Sequence, residues 1–232
     1  MSLMAKSFLK DVYSGDTDDS RELYASWAAT YDDEVQKNGY VTPQRIANAL
    51  KDVVTDQSDF ILDYGCGTGL SGYALQAVGF ENIDGLDVSK EMVMLAEEKA
   101  IYRNLKVFDP STEIPINPNQ YKIITAIGVI GAGAAPLQVF DNLFALLPQN
   151  GLFAFSFNDH TLNDLNYEQK VDNCLSSGRA IMLHKSYGNH LPKAKLKSIF
   201  IFLKNFDLYN PFCTFSHRTF TPRSCLFRYY RS

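Results

Sequence analysis

Three glycines at alternate positions follow an apolar run and have the spacing of a ligand-binding turn. They are Gly65, Gly67 and Gly69, and the preceding run, 60–64, is typical of a buried strand. Because such a turn has little side-chain bulk, a ligand can approach the main chain and face the N–H groups at the start of the next helix. Asp87 ends the next strand-like run, about 20 residues on, where a carboxylate can meet ribose hydroxyls. The sequence therefore predicts a ligand that carries a ribose.

The spacing of the glycines separates two kinds of nucleoside ligand. The dinucleotide fingerprint G-x-G-x-x-G has its third glycine where this chain has Leu70, so an NAD-dependent oxidoreductase is disfavoured. The remaining pattern, G-x-G-x-G after Asp63, resembles motif I of the class I methyltransferases that use S-adenosylmethionine. Asp87 resembles the acidic position that follows motif I. The resemblance implies S-adenosyl-L-methionine as the cofactor.

Three further segments resemble landmarks of the same family. Segment 87–92 is similar to its second-strand acid followed by a helix-capping serine and a methionine near the nucleoside. Segment 108–110 resembles its third-strand acid beside the adenine, and segment 147–153 its proline and glycine turn before strand five. The resemblance therefore implies a cofactor site formed by Tyr31, Asp63, Gly65, Cys66, Gly67, Gly69, Asp87, Val88, Met92, Asp109, Pro110 and Ile127.

The resemblance also implies roles for single residues of this site. Asp87 holds the ribose diol, Asp109 accepts a hydrogen bond from the adenine amino group, and the backbone of 65–67 lines the methionine end. Both acids have a simpler interpretation as turn residues, since Asp-Pro in particular starts many turns. Asp63 either bonds the backbone of the glycine loop or contacts the ligand ammonium group indirectly, and the sequence leaves both open.

Aromatic residues near the N-terminus form a second informative block. Segment 23–32 resembles the "WA-x-x-YD" block of small-molecule methyltransferases, including the Williams–Beuren-region-like group, and the resemblance continues through 39–43. In that family a tyrosine closes over the cofactor, which implies a lid contact for Tyr31. The alternative is ordinary packing, because Tyr24, Trp27 and Tyr31 also have the spacing of an amphipathic helix.

Apolar strand patterns alternate with helical ones along the chain. This order predicts a Rossmann-like, doubly wound α/β sheet with helices on both faces. The resemblance implies seven strands, mostly parallel with the last strand antiparallel, and an N-terminal helical cap. We expect a single domain made of a cap (1–55), a core (56–204) and a basic aromatic extension (205–232). The predicted strands are 60–64, 83–88, 105–108, 121–129, 152–157, 180–184 and 198–203, and the predicted helices include 20–37, 43–54 and 162–175.

Composition excludes several classes of protein. The 232 residues carry a net charge of −4, which disfavours a protein whose main task is to hold long nucleic acid. The cysteines lack C-x-x-C spacing, so neither a zinc site nor a disulfide framework is predicted, and a reducing cytoplasm is expected. The uncharged segment 123–140 contains three glycines and a proline, so it is predicted not to span a membrane.

The last 28 residues do not fit the family plan. Arg218, Arg223, Arg228 and Arg231 alternate with aromatic residues, and no acid follows Asp207. Such a pattern can bind single-stranded nucleic acid, which leaves an RNA methyltransferase as an alternative. A packed extension, a dimer contact in a homodimer, or a tail foreign to the ancestral domain are the simpler interpretations.

Residues for the methyl acceptor are less distinct. His160, just after the fifth predicted strand, is the candidate general base, while His184 and His190 are weaker candidates. The fourth strand lacks the Asn/Asp-Pro-Pro-Tyr pattern of base and glutamine methylation, and no carboxylate cluster implies a metal. We therefore expect a methyltransferase that acts on a small molecule, with the acceptor atom open. A cofactor-binding regulator without transfer activity is the alternative outside enzymes.

Overall fold

The structure is a computed structural model and describes residues 20–131 and 133–206. Its helices are α1 (Ser20–Lys37), α2 (Thr42–Val53), α3 (Leu70–Ala77), α4 (Lys90–Glu98), α5 (Gln138–Leu146), α6 (Asp159–Leu162) and α7 (Leu165–Ser176), with a short 3₁₀ turn at Pro192–Ala194. Its strands are β1 (Ile61–Tyr64), β2 (Ile83–Asp87), β3 (Asn104–Val107), β4 (Ile123–Ala126), β5 (Leu152–Asn158), β6 (Ala180–Leu191) and β7 (Leu196–Asn205).

The strands form one sheet in the order β3-β2-β1-β4-β5-β7-β6. Strands β1 to β5 are parallel, and β7 runs antiparallel to both β5 and β6. The predicted doubly wound sheet with an antiparallel last strand is therefore confirmed. In such a sheet the carboxyl ends of the parallel strands share one edge, where ligands bind.

Three predicted boundaries were wrong, each for a local reason. Strand β4 ends at Ala126 rather than 129, because Gly128 takes a positive φ of 72° and turns the chain. Strand β6 continues to Leu191 rather than 184, since pairing with β7 carries a half-exposed segment that has no continuous apolar run. The predicted helix 162–175 is two helices, α6 and α7, each capped by the side chain of the residue before it.

Apolar side chains fill both faces of the sheet. Phe153, Phe155 and Phe157 of β5 are fully buried, and one face packs against Phe140 and Phe144 of α5. The other face packs against α2 and α3. Close packing on both faces makes the sheet a rigid platform for the residues at its carboxyl edge.

Helix α1 belongs to a separate, smaller cluster beyond that edge. Trp27 and Val35 pack there against Leu191, with Tyr24, Tyr31, Tyr40, Leu70 and Leu196 around them. The predicted division at residue 55 stays a prediction. Of the predicted basic aromatic extension, 205–232, residues 207–232 lie outside the described residues. The nucleic-acid role considered for its arginines falls on those residues and stays a prediction. No helix of the described part combines the length and hydropathy needed to cross a membrane.

Candidate functional site

A cavity of about 410 Å³ lies at the carboxyl ends of β1, β2 and β4. We call it the cofactor cavity. The predicted cofactor residues that line it are Tyr31, Gly65, Gly67, Asp87, Val88, Met92, Pro110 and Ile127. Tyr24, Tyr64, Phe108, Gly128, Val129 and Ala134 are among its other lining residues. Its size and mixed lining are typical of a pocket for a small molecule.

The glycine turn forms the floor of this cavity through its backbone. Gly65 has a φ of 69°, and a Cβ there would lie 2.4 Å from Cγ2 of Val129. Gly67 has a φ of 53° and open space where a Cβ would be. Gly69, with a φ of 93°, packs against α4 and does not line the cavity. Two lining positions of the turn, 65 and 67, thus carry no side chain. This fits a ligand that contacts the main chain.

Asp87 is the acid of the cavity. Its Oδ2 accepts a hydrogen bond of 2.8 Å from the N–H of Gly67, and its Oδ1 accepts one of 2.8 Å from the N–H of Ser89. Burial raises the pKa of Asp87, while the bonds from Ser89 and Gly67 lower it. A carboxylate has about four lone-pair directions, so these two bonds leave acceptor capacity facing the cavity. That capacity fits a vicinal diol.

Asp63 lies behind the cavity and bonds side-chain hydroxyls rather than the backbone of the glycine loop, while its indirect contact with the ligand ammonium group stays a prediction. Its side chain is fully buried and accepts hydrogen bonds from the hydroxyls of Ser71 (2.6 Å), Tyr102 (2.7 Å) and Thr125 (2.9 Å). Burial raises the pKa of Asp63. The acid thus ties helix α3 and strand β4 to the strand that leads into the glycine turn, and positions the turn from beneath.

Two other predicted residues also lie off the cavity. The Cys66 thiol is buried behind the turn, within contact distance of Gly85, and burial raises its pKa well above the usual value. Asp109 is exposed, and its Oδ1 accepts hydrogen bonds from the N–H and the hydroxyl of Ser111. This is the turn arrangement that Asp-Pro favours, and the neighbouring Pro110 lines the cavity instead.

A second chamber of about 50 Å³ adjoins the cofactor cavity. The two spaces share Tyr24, Tyr31, Gly128 and Ala134. The chamber lies toward β5 and β6, and its remaining lining residues are Trp27, Val35, Tyr40, Ile130, Gly131, Ser156, Asn158, Thr161, His190 and Leu191. His160, the predicted base, is in α6 and lines neither space.

His190 is the histidine that the structure places in the second chamber. The ring is 5% exposed, and Nδ1 lies 2.9 Å from the hydroxyl of Thr42, which in turn lies 3.0 Å from the hydroxyl of Ser198. Arg45 donates to Ser198 and, at 2.6 Å, to the carbonyl of Asn189. Burial lowers the pKa of His190 to about 4, so the ring is neutral at pH 7. The sequence signal was weak, because the strand that carries His190 was predicted to end six residues earlier.

Aromatic rings from α1 and the following loop form the outer wall of the chamber. Trp27 stacks on Tyr24 at 5.9 Å and meets Tyr31 edge to face at 4.7 Å. The indole N–H of Trp27 donates to Glu34 at 2.8 Å, which fixes the orientation of the ring. Tyr40 meets His190 edge to face at 5.1 Å. Helix α1 thus lines both spaces through Tyr24 and Tyr31, and the lid contact of Tyr31 with the cofactor stays a prediction.

A polar latch joins α1 to the glycine turn. Asp32 accepts hydrogen bonds from the hydroxyl of Thr68 and from the Lys99 ammonium group, the latter at 2.8 Å. Lys99 also donates to the carbonyl of Thr68. The helix that covers the site is therefore connected to the turn that forms its floor.

The part of the chain that the structure describes contains no group of three or more His, Cys, Asp or Glu side chains arranged to hold a metal ion. The described cysteines, Cys66 and Cys174, are buried as free thiols.

Comparisons with known proteins agree with this geometry. The family model described as "Methyltransferase domain" matches residues 27–193. Human methyltransferase-like protein 27 is 27% identical over 153 residues, covering 65% of this chain and 62% of that protein. The 18S rRNA (guanine(1575)-N(7))-methyltransferase of Saccharomyces cerevisiae is 27% identical over 146 residues, covering 57% of this chain and 53% of that protein. The chain therefore matches little more than half the length of these relatives.

Solved structures agree on the fold. Magnesium protoporphyrin IX methyltransferase from Synechocystis PCC 6803, crystallised with bound SAM, superposes with a TM-score of 0.59 at 15% identity, covering 82% of this chain and 99% of that one. The predicted Williams–Beuren-region-like group stays a prediction. Since the family model spans most of the chain and the sheet has the strand order described above, the chain belongs to the methyltransferase domain family.

Proposed function

We propose that this methyltransferase transfers its methyl group to a small-molecule acceptor whose reacting atom enters the second chamber. The observation that carries the proposal is the junction of the two spaces, which share four lining residues. The cofactor cavity is large enough for a nucleoside ligand, whereas the chamber of about 50 Å³ admits only a few atoms. A reacting atom there is shielded from water by α1.

The order of the strands supports S-adenosylmethionine as the methyl donor and the following placement of its parts, which we propose. Val88, Met92 and Pro110, near β2 and β3, take the adenine, and Asp87 takes the ribose hydroxyls. Gly65 and Gly67, at the end of β1, take the methionine end. The next strands along the sheet are β4 and β5, whose ends form the chamber. The methyl group is thereby directed toward the chamber.

The chemistry asks little of the side chains. In transfer the acceptor atom bonds to the methyl carbon, the carbon–sulfur bond breaks with both electrons going to sulfur, and the methylated product loses its proton to bulk solvent once it has left the chamber. The residues of this chain contribute orientation and exclusion of water, which can supply most of the acceleration. Gly128 leaves the passage between the two spaces open, because a Cβ there would lie 2.9 Å from the hydroxyl of Tyr40.

Calorimetric titration tests the donor half of this proposal. S-adenosylhomocysteine should bind the full chain, and NAD should not, since Leu70 occupies the third glycine position of the dinucleotide fingerprint. A chain that binds NAD and not S-adenosylhomocysteine would contradict the proposal.

Transfer from radiolabelled S-adenosylmethionine tests the acceptor half. The low-molecular-weight filtrate of a yeast extract should become labelled, and total yeast RNA should not. The identity to the yeast rRNA methyltransferase favours RNA as the second candidate acceptor. Salt-sensitive RNA binding together with label in the RNA fraction would establish that alternative.

A further inference from the structure

The second chamber is lined by polar groups that carry no formal charge at neutral pH. Its polar members among the described residues are Ser156, Asn158, Thr161 and His190, together with tyrosine hydroxyls. His190 is buried and neutral, because burial lowers its pKa to about 4. The neighbouring cation, Arg45, donates to Asn189 and Ser198, faces the ring of Phe200 at 5.1 Å and does not line the chamber.

This lining disfavours a charged acceptor of either sign. Among the described lining residues, a buried carboxylate or phosphate would find no cation to pair with, and an unpaired buried charge is strongly disfavoured. An ammonium group lacks a carboxylate partner there and would lie next to the positive sulfonium of the methyl donor. A protonated amine also has no lone pair with which to attack. The group that enters the chamber is therefore uncharged.

The shape of the chamber limits the acceptor further. Its outer wall consists of the rings of Tyr24, Trp27, Tyr31 and Tyr40. Aromatic pairs in edge-to-face contact gain about 0.5–1.5 kcal/mol beyond burial alone. The volume of about 50 Å³ is well below the roughly 150 Å³ of a cavity that holds benzene. A flat ring can thus place one edge in the chamber while its remainder lies against the aromatic wall.

We infer that the acceptor is a small, uncharged aromatic or heteroaromatic molecule that presents an O–H or N–H group on its edge to the second chamber. The inference rests on the proposed function, because it takes the chamber as the acceptor site. Ser156, Asn158 and His190 are the hydrogen-bonding groups that meet this edge, and the rings of α1 contact its faces. A phosphorylated nucleotide is excluded by the same argument.

Trp27 makes the inference directly measurable, since it is the one tryptophan of the 232 residues and it lines the chamber. The full chain is saturated with S-adenosylhomocysteine and titrated with matched pairs: 4-hydroxybenzamide and 4-hydroxybenzoate, nicotinamide and nicotinate, guanosine and guanosine 5′-monophosphate. We expect at least one neutral member to change Trp27 emission, with its charged partner binding at least ~10-fold more weakly, the equivalent of 1.4 kcal/mol.

Two results would overturn the inference: a charged member that binds as tightly as its neutral partner, or no neutral probe that changes the emission. Calorimetry on the same samples reports S-adenosylhomocysteine binding separately. Loss of that binding would count against the proposed function, and the acceptor class is judged only in samples that retain it.

A charge placed in the lining supplies an independent test. Ala134→Lys puts a flexible cation at a half-buried position shared by both spaces, and should reverse the preference within the benzamide and benzoate pair. Ala77→Lys, the same change on the exposed end of α3, is the control and should leave the preference unchanged. An unchanged preference in folded Ala134→Lys protein would contradict the inference.

Discussion

The cofactor cavity and the second chamber share one wall, yet they are assembled from different parts of the chain. The principal polar contacts of the cavity come from one continuous stretch, 65–92, in which a strand, a turn and a helix follow each other. The chamber takes residues from Tyr24 to Leu191, brought together by α1, the loop after β4 and the ends of β5 and β6. Beside its apolar side chains, the cavity offers a ligand mainly the glycine backbone and one carboxylate, whereas the chamber offers neutral polar and aromatic side chains.

This difference shows how one fold keeps its methyl donor while the acceptor changes. The backbone of the glycine turn depends on local φ values and on strand order, and most side-chain changes elsewhere leave it intact. The chamber depends on long-range packing, so substitutions in several separate elements of the chain reshape it. Function is therefore set by the site rather than by the fold.

Replacing Asp87, the acid of the cavity, should weaken cofactor binding more than any other substitution. Asp87→Asn converts one acceptor oxygen into an NH₂ group and removes the charge, so two charge-assisted bonds to a ribose diol are weakened. At roughly 1.5–3 kcal/mol each, the loss is about 4 kcal/mol, or about 1,000-fold in S-adenosylhomocysteine affinity by calorimetry.

Asp84→Asn is the matched control on the same strand. Asp84 is also buried, but it pairs with Arg103 at 3.1 Å and accepts from Tyr121 at 2.9 Å, away from the cavity. We expect lower stability with unchanged affinity. Equal losses of affinity in both variants would show that Asp87 acts through the fold rather than by contact with the ligand.

Asp87 also illustrates what sequence can and cannot predict. The glycine turn and its acid are local in sequence, the strand and helix patterns around them predicted the doubly wound sheet, and the family resemblance implied its antiparallel last strand. Asp63 looked like a ligand contact because its place in the motif does not reveal three hydroxyls, Ser71, Tyr102 and Thr125, converging from distant segments. His190 was underestimated for the same reason, since its position depends on an edge strand held by pairing alone.

Acid should destabilise the chamber through His190. The unfolded chain binds a proton at this residue below its ordinary pKa of 6.5, whereas the folded chain does so only near 4. The unfolded state therefore holds more protons between these values, and the free energy of unfolding rises with pH across that window. The contribution is present above pH 6.5 and falls by about 3 kcal/mol as the pH drops toward 4.

Urea unfolding of the wild type and His190→Gln at several pH values measures this contribution. In the variant, the free energy of unfolding should depend less on pH between about 4 and 6.5. The dependence that remains comes from the carboxylates. His184→Gln is the control, because the pKa of His184 is also lowered by burial but its ring is more exposed, so a smaller change is expected. If the free energy of unfolding of His190→Gln depended on pH as that of the wild type does between about 4 and 6.5, the folded wild type would hold His190 charged in that window.

A methyl group on the glycine turn should damage the cavity and spare the chamber. Gly65→Ala combines the strain of a positive φ with a Cβ 2.4 Å from Val129, whereas Gly79→Ala has a φ of 109° and open space around its Cβ. Left-handed strain of about 1–2 kcal/mol is common to both variants. The clash should cost Gly65→Ala a further ~2 kcal/mol, seen as a 30-fold weaker affinity for S-adenosylhomocysteine.

The clash explanation can be checked with a second substitution. Val129→Ala removes the methyl groups that face the new Cβ, so the double variant should recover part of the affinity. If Gly79→Ala weakens S-adenosylhomocysteine binding as much as Gly65→Ala does, backbone strain alone accounts for the loss. The contact with Val129 then has no special role.

The smallest expected effect comes from breaking the polar latch between α1 and the glycine turn. Asp32→Asn removes the ion pair with Lys99 and weakens the bond to Thr68, which releases α1 from the glycine turn. Both side chains are partly exposed, so the pair contributes only about 0.5–1 kcal/mol. Stopped-flow emission of Trp27 should show S-adenosylhomocysteine dissociating about 3-fold faster. Glu168→Gln, which breaks the exposed bridge to Lys185 far from α1, should leave that rate unchanged. Because α1 covers both spaces, an unaltered rate in Asp32→Asn would place the control of cofactor release in the aromatic packing of Trp27 rather than in the latch.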